Sequence, residues 1–185
     1  MYGTRARIGY TSPPAVTETF PYEFYKIVPD GVTLAITTLN IVKMTDDEVK
    51  DGAKMSLDCA RLLSKADVDI IILGGVPLNL ALGFKKLDNI MKQLEDELGI
   101  PVTSSLTSQV TALKTVGAQR VGVAQPFETE HDIYGEYLRF YGFDVVGQLG
   151  AGLTVLDLAT TDAKTAKGLA DKIVKEYEGL DTLYF

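Results

Sequence analysis

The sequence has no tryptophan, one cysteine (Cys59) and one histidine (His131) in 185 residues. A structural zinc site takes four Cys- or His-type ligands, and these residue types supply two at most, so no metal is expected. A lone thiol excludes an intrachain disulfide and suits a reducing cytoplasm. Positive charge is also short. Against 25 Asp and Glu stand 18 Lys and Arg, a formal charge of −7. Nucleic acid and anionic membrane surfaces reward a positive field, so neither is expected as a partner. Met1–Tyr10 carries no basic leader with an apolar stretch behind it. The most apolar window, Ile70–Phe84, is broken by Gly74, Gly75, Pro77 and Asn79 and is too short to span a bilayer. The expectation is a soluble cytoplasmic protein, and its 46% hydrophobic content suits a globular core.

What is present alternates. Short β-branched runs predict strands at Arg5–Thr11, Val32–Thr38, Ile70–Leu73, Val102–Ser104, Arg120–Ala124, Asp144–Gln148 and Thr182–Phe185. Helical patterns fall near Asp46–Lys65, Phe84–Leu98, Ser105–Val116, Glu128–Tyr141 and Asp162–Glu178. Thr45 is placed as an N-cap, with Glu48 in the capping-box position. Val49, Ala53, Leu57, Ala60 and Leu63 then make one buried stripe. Gly99 and Pro101 stop the second of these helices. Strands alternating with helices imply an α/β protein with a largely parallel sheet.

The pattern repeats. Arg7-Ile8-Gly9-Tyr10-Thr11-Ser12-Pro13 answers Arg120-Val121-Gly122-Val123-Ala124-Gln125-Pro126, 113 positions on. Thr45-Asp46 answers Thr161-Asp162, and Val68-Asp69-Ile70-Ile71 answers Leu180-Asp181-Thr182-Leu183, at nearly the same offset. The repeat predicts two related α/β halves, residues 1–112 and 113–185. It also predicts a further loop about two residues past Phe185, so the second half is expected to be incomplete.

In an open parallel sheet, ligands sit at the carboxyl ends of the strands. Four segments leave such ends: Thr11–Pro14, Gly74–Asn79, Thr103–Ser105 and Gln125–Glu128. They are rich in Gly, Pro and hydroxyls and poor in charge. Turns of this kind aim backbone N–H groups at a carboxylate or phosphate.

Ile8–Pro14, Asp46–Pro77, Gly99–Ser104 and Arg120–Ala124 resemble the aspartate/glutamate racemase superfamily, and within it the arylmalonate decarboxylase and maleate cis-trans isomerase branch. The resemblance covers nearly the whole chain. It implies two pseudo-symmetric flavodoxin-like halves with a ligand cleft between them. It also implies a small mono- or dicarboxylate as ligand and no cofactor, and it leaves homo-oligomers open. Racemases and maleate isomerases of this superfamily use one Cys per half, whereas the decarboxylase keeps only the second. The first position falls here on Gly75, as in the decarboxylase, and the second falls beyond Phe185, so no catalytic residue is assigned. The decarboxylase's carboxylate-binding hydroxyl pair falls on Val76 and Pro77, which have no side-chain donor. Its pocket tyrosine falls on Phe127. Ser12, Pro13 and Pro14 match the first pocket loop. The expected binding set is Ser12, Pro13, Pro14, Gly74, Gly75, Val76, Ser104, Gln125 and Phe127.

Cys59 lies mid-helix without a basic neighbour and reads as a packing residue. His131, among Glu128, Glu130 and Asp132, reads as an exposed residue of an acidic first turn. Gly150-Ala151-Gly152 lacks the context of a dinucleotide fingerprint. The functional expectation is a cofactor-independent enzyme acting next to a carboxylate, by decarboxylation, cis-trans isomerisation or racemisation, through an enediolate-like intermediate. The alternative is a non-catalytic carboxylate-binding protein on the same scaffold.

Overall fold

The β-branched runs do form parallel strands. The structure, a computed structural model, describes residues 3–127, 133–155 and 157–185. In chain order its elements are β1 (Ala6–Pro14), α1 (Thr19–Ile27), β2 (Val32–Ile41), α2 (Asp46–Leu63), β3 (Ile70–Leu73), α3 (Val76–Ala81) and α4 (Phe84–Leu98). There follow β4 (Val102–Ser104), α5 (Ser105–Thr115), β5 (Arg120–Gln125), α6 (Ile133–Phe140), β6 (Asp144–Gly150), α7 (Ala163–Glu176) and β7 (Thr182–Tyr184). They make two compact units, Met1–Ser108 and Gln109–Phe185. Among the described residues no helix is long and apolar enough to cross a membrane.

The first unit holds a four-stranded sheet in the order β2-β1-β3-β4, the second a three-stranded sheet in the order β6-β5-β7. Every neighbouring pair is parallel. With β5, β6 and β7 taken as second copies of β1, β2 and β3, the two orders coincide.

The duplication extends to side chains. At the amino end of β1, the Arg7 N–H donates to the Asp69 carboxylate at 2.7 Å and the Asp69 N–H donates back to the Arg7 carbonyl at 2.8 Å. At the same place on β5, the Arg120 N–H donates to Asp181 at 3.0 Å and the Asp181 N–H returns to the Arg120 carbonyl at 2.9 Å. Midway along each central strand a glycine lets a helix approach. A β-carbon on Gly9 would meet Leu63, Val68 and Ile71, and one on Gly122 would meet Ile173, Leu180 and Leu183. Ile71, Val121 and Ile173 in these layers are fully buried.

Several boundaries differ from expectation. β1 continues to Pro14, where Thr11 was the expected end, because Ser12 and Pro14 still pair with Thr38 and Ile41 across a bulge. Two residues of β2 there face one of β1, and Asn40 takes the left-handed conformation, φ 58°. β6 carries a similar extra residue, Val146. α7 begins at Ala163, because Asp162, the expected first residue, caps it: its side chain accepts from the Thr165 N–H. Thr45 does cap α2. The Glu48 carboxylate reaches back past it to the Lys43 N–H at 2.8 Å, and that hydrogen bond holds Glu48 below its ordinary range. The expected helix start at Glu128, and His131, lie outside the described residues.

Two helices were not foreseen. α1 contains Pro21, but in a first turn whose N–H groups have no intrahelical acceptor. It is held by the Phe20 ring stacked on Tyr10 at 4.2 Å and by the Tyr25 hydroxyl, which accepts from the Leu34 N–H at 3.1 Å. α3 begins right after Gly75, with Pro77 in its first turn, and buries Leu78, Asn79 and Leu80.

Gly122→Val should overpack the layer between β5 and α7 and lower stability by about 1–3 kcal/mol, measured by urea unfolding. A second outcome concerns Asp181, which the Thr182 hydroxyl and the Arg120 N–H hold below its usual range. A depressed carboxylate contributes stability above its unfolded pKa and loses it as pH falls through the folded value. Wild type should therefore melt above Asp181→Asn at pH 7, and the gap should close at about pH 3 or below, near and under the ordinary Asp pKa of about 3.9.

Candidate functional site

Because β1, β3 and β4 are neighbours, their carboxyl ends lie side by side in the first unit. Thr11, Leu73 and Ser104 form one register row across them. Beyond that row come Ser12-Pro13-Pro14 on β1, Gly74-Gly75-Val76 leaving β3, and the first turn of α5. Thr11 ties two of these together, since its fully buried hydroxyl accepts from the Gly74 N–H at 2.9 Å. The packing here is close. A β-carbon on Gly74 would lie 2.0 Å from the Thr11 carbonyl oxygen and 2.6 Å from the Tyr10 ring. One on Gly75 would lie 2.3 Å from Pro13, and Gly75 has φ +84°. Ser12 is buried beside them. Burial pushes the Tyr10 phenol up, partly offset by a hydrogen bond with Ser105, so it stays protonated at neutral pH.

The α5 N-terminus completes this edge. An α-helix leaves its first N–H groups without intrahelical partners. Side chains take two of them here. The Ser104 hydroxyl accepts from the Thr107 N–H at 3.0 Å, and the Asn79 side-chain oxygen accepts from the Leu106 N–H at 3.3 Å. Asn79 is fully buried, and its amide nitrogen Nδ2 has no hydrogen-bond partner among the described residues. A buried donor left without an acceptor costs about 1–3 kcal/mol.

In the second unit, Gln125 ends β5 and Phe127 follows it, both partly buried. Gln125 borders a small hollow of about 140 Å³ with Ala124, Pro126, Thr165, Leu169 and Phe185. The Asp162 carboxylate already occupies the α7 N-terminus next to Thr165, at 2.9 Å from the Thr165 N–H. Elsewhere in this unit the Tyr134 hydroxyl donates to Gln109 at 3.1 Å and hydrogen-bonds Tyr184. Burial pushes Tyr184 up to about 12 and Tyr134 higher still, so both phenols are neutral at physiological pH.

Of the residues named from sequence, the structure gathers Ser12, Pro13, Pro14, Gly74, Gly75, Val76 and Ser104 on one edge of the first unit. Gln125 and Phe127 occupy the corresponding edge of the second. Cys59 lies buried in α2, away from any strand end. Thr11 and Asn79 lie in the strand-end segments named from sequence but outside the expected binding set, and Tyr10 was not singled out. The signal for Asn79 was a lone polar residue between Leu78 and Leu80 just after a proline, the pattern of a buried helix start.

Residues 8–185 match the family profile of arylmalonate decarboxylase. The chain belongs to the arylmalonate decarboxylase family. Solved structures agree at the level of fold. A double mutant of arylmalonate decarboxylase in its liganded form superposes with a TM-score of 0.82 at 20% identity. Maleate cis-trans isomerase of Nocardia farcinica, bound to TRIS, gives 0.81 at 15%. A variant of the maleate isomerase Iso from Pseudomonas putida S16, with maleate, gives 0.78 at 19%. Each comparison covers 96% of this chain and 76% of the other. No match is found among curated proteins.

Membership in the arylmalonate decarboxylase family gives the two glycines a setting, and the structure gives them a cause. Gly74 is excluded from carrying a side chain by the β1 backbone, Gly75 by Pro13 and by its left-handed conformation. Any side chain at position 75 therefore strains the loop itself. Gly75→Ala alone should lower stability by about 1–3 kcal/mol, read as a fall in the thermal midpoint; an unchanged midpoint would mean the loop has freedom that this geometry denies.

Proposed function

We propose that the protein is a cofactor-independent enzyme acting at the carbon next to a carboxylate, as a decarboxylase or a cis-trans isomerase, through an enediolate-like intermediate. The observation that carries this reading is the family match over residues 8–185. The chemistry follows from the substrate class. When a malonate-type acid loses carbon dioxide, the C–C bond breaks and its electron pair moves into the remaining carboxylate. A proton then adds at the α-carbon. The electron pair stays on the substrate, so the route needs no carrier group.

The difficulty is the charge that gathers on the enediolate oxygens, and fixed donors in a site shielded from water stabilise it best. Val76 and Pro77 offer no side-chain donor. Donors must come from backbone N–H groups and from the buried polar side chains at the β1, β3 and β4 edge. Ser12, Pro13, Pro14, Gly74, Gly75, Val76 and Ser104 are the residues we assign to holding the acid on the first unit; Gln125 and Phe127 stand at the equivalent strand end of the second unit. The ligand is a small mono- or dicarboxylate.

A rival reading, a carboxylate-binding protein without catalysis, draws on one fact. The one thiol of the sequence, Cys59, is buried in α2 away from every strand end and is not placed to act on a ligand there. One experiment separates the two. Phenylmalonate, methylmalonate and maleate are each incubated with the protein in D₂O and followed by proton NMR, with binding measured in parallel by calorimetry. The enzyme reading expects a monoacid deuterated at the α-carbon, or fumarate from maleate. Binding without turnover or exchange would establish the rival, and no binding of any of the three would overturn both.

A further inference from the structure

We propose that the side-chain amide of Asn79, at the N-terminus of α5, receives one oxygen of the ligand's carboxylate. The inference rests on the carboxylate reading above and adds a residue to it. The orientation of the amide is fixed. Its oxygen accepts from the Leu106 N–H, and turning the group over would set its NH₂ against another donor. Nδ2 is thereby committed to a direction in which the described residues provide no acceptor. Buried polar groups in folded proteins are nearly always paired, and an exception marks a place where something else completes the pair.

The surroundings say what that partner is. α5 is 11 residues long, and its N-terminus carries the positive end of the helix dipole, which favours an anion over a neutral acceptor. The same segment offers few other donors. Val76 and Pro77 have none in their side chains, and the Asn79 backbone N–H is already used by the Gly75 carbonyl at 3.0 Å. Asn79 is fully buried, so the acceptor must be small and enter end-on. A single carboxylate oxygen fits that requirement, and a sugar or a phosphoryl group with three spread oxygens does not.

The test uses malonate and maleate as probes against the wild-type chain and Asn79→Asp. Aspartate keeps an oxygen for the Leu106 N–H, so the α5 cap survives, but it replaces the donor with a second negative oxygen. Calorimetry should show both probes bound at least tenfold more weakly by Asn79→Asp. In wild type, the Asn79 side-chain ¹⁵N–¹H resonances should shift as malonate is titrated in, a response that a purely structural cap or a resident water would not give. Should the variant fail to fold, these resonances alone decide. Equal affinity in the variant, or a wild type that binds malonate with the Asn79 resonances unmoved, overturns the assignment of Asn79 while leaving the carboxylate reading intact. A wild type that binds neither acid overturns both.

Discussion

At the carboxyl edge of the first sheet, β3 passes within van der Waals contact of the β1 backbone, and it can do so because residue 74 has no side chain. The Gly74 N–H is drawn in by the Thr11 hydroxyl, the Tyr10 ring closes one side, and Pro13 presses on Gly75. The turn is consequently set by three neighbours at once, Thr11, Tyr10 and Pro13. Its direction decides where α3 starts, and the start of α3 puts Asn79 under the first turn of α5. The position of Asn79 on this edge traces back to the absence of two β-carbons.

The two sheets show how much of a fold can be written twice with little sequence in common. What is kept between the copies is a short physical specification. An aspartate exchanges hydrogen bonds with the first residues of the central strand, a glycine midway admits a helix, and three apolar side chains fill the space above it. Leu63, Val68 and Ile71 do this in one unit; Ile173, Leu180 and Leu183 do it in the other. The identities differ, but volume and polarity hold.

Those same features explain what the sequence revealed. Ile70–Leu73 and Val102–Ser104 are short, β-branched and bounded by Gly or Pro, and their limits were legible to the residue. Phe84–Leu98 ends where Gly99 adopts φ +68°, which the Gly and the following Pro101 announce. The Ser12-Pro13-Pro14 stretch read as a loop because proline cannot serve a strand with partners on both sides. In the structure β3 leaves the sheet after Leu73, so β1 has only β2 beside it there, and a bulge absorbs Pro13. α1 was hidden for a different reason. Its stability comes from Tyr10 and Leu34, both distant in sequence, and its own residues are poor helix formers. The edge residues were legible as a set of small and hydroxylic side chains. Asn79 was marked only by its place between Leu78 and Leu80, and its pairing with the Leu106 N–H depends on α5, which that local pattern does not encode.

The bulges in β2 and β6 bear on how the protein behaves in a crowded cell. Each is the outer strand of its sheet, with a row of backbone groups turned away from the fold. A regular edge of that kind invites a strand from another molecule. Here an extra residue breaks the spacing in both, and on β2 the Tyr25 hydroxyl also occupies the Leu34 N–H. On β2 the regular run Val32–Thr38 is thereby interrupted at Leu34 and ended by the bulge at Leu39 and Asn40. At the concentrations a newly made polypeptide meets as it leaves the ribosome, that irregularity is a safeguard against assembling into fibres.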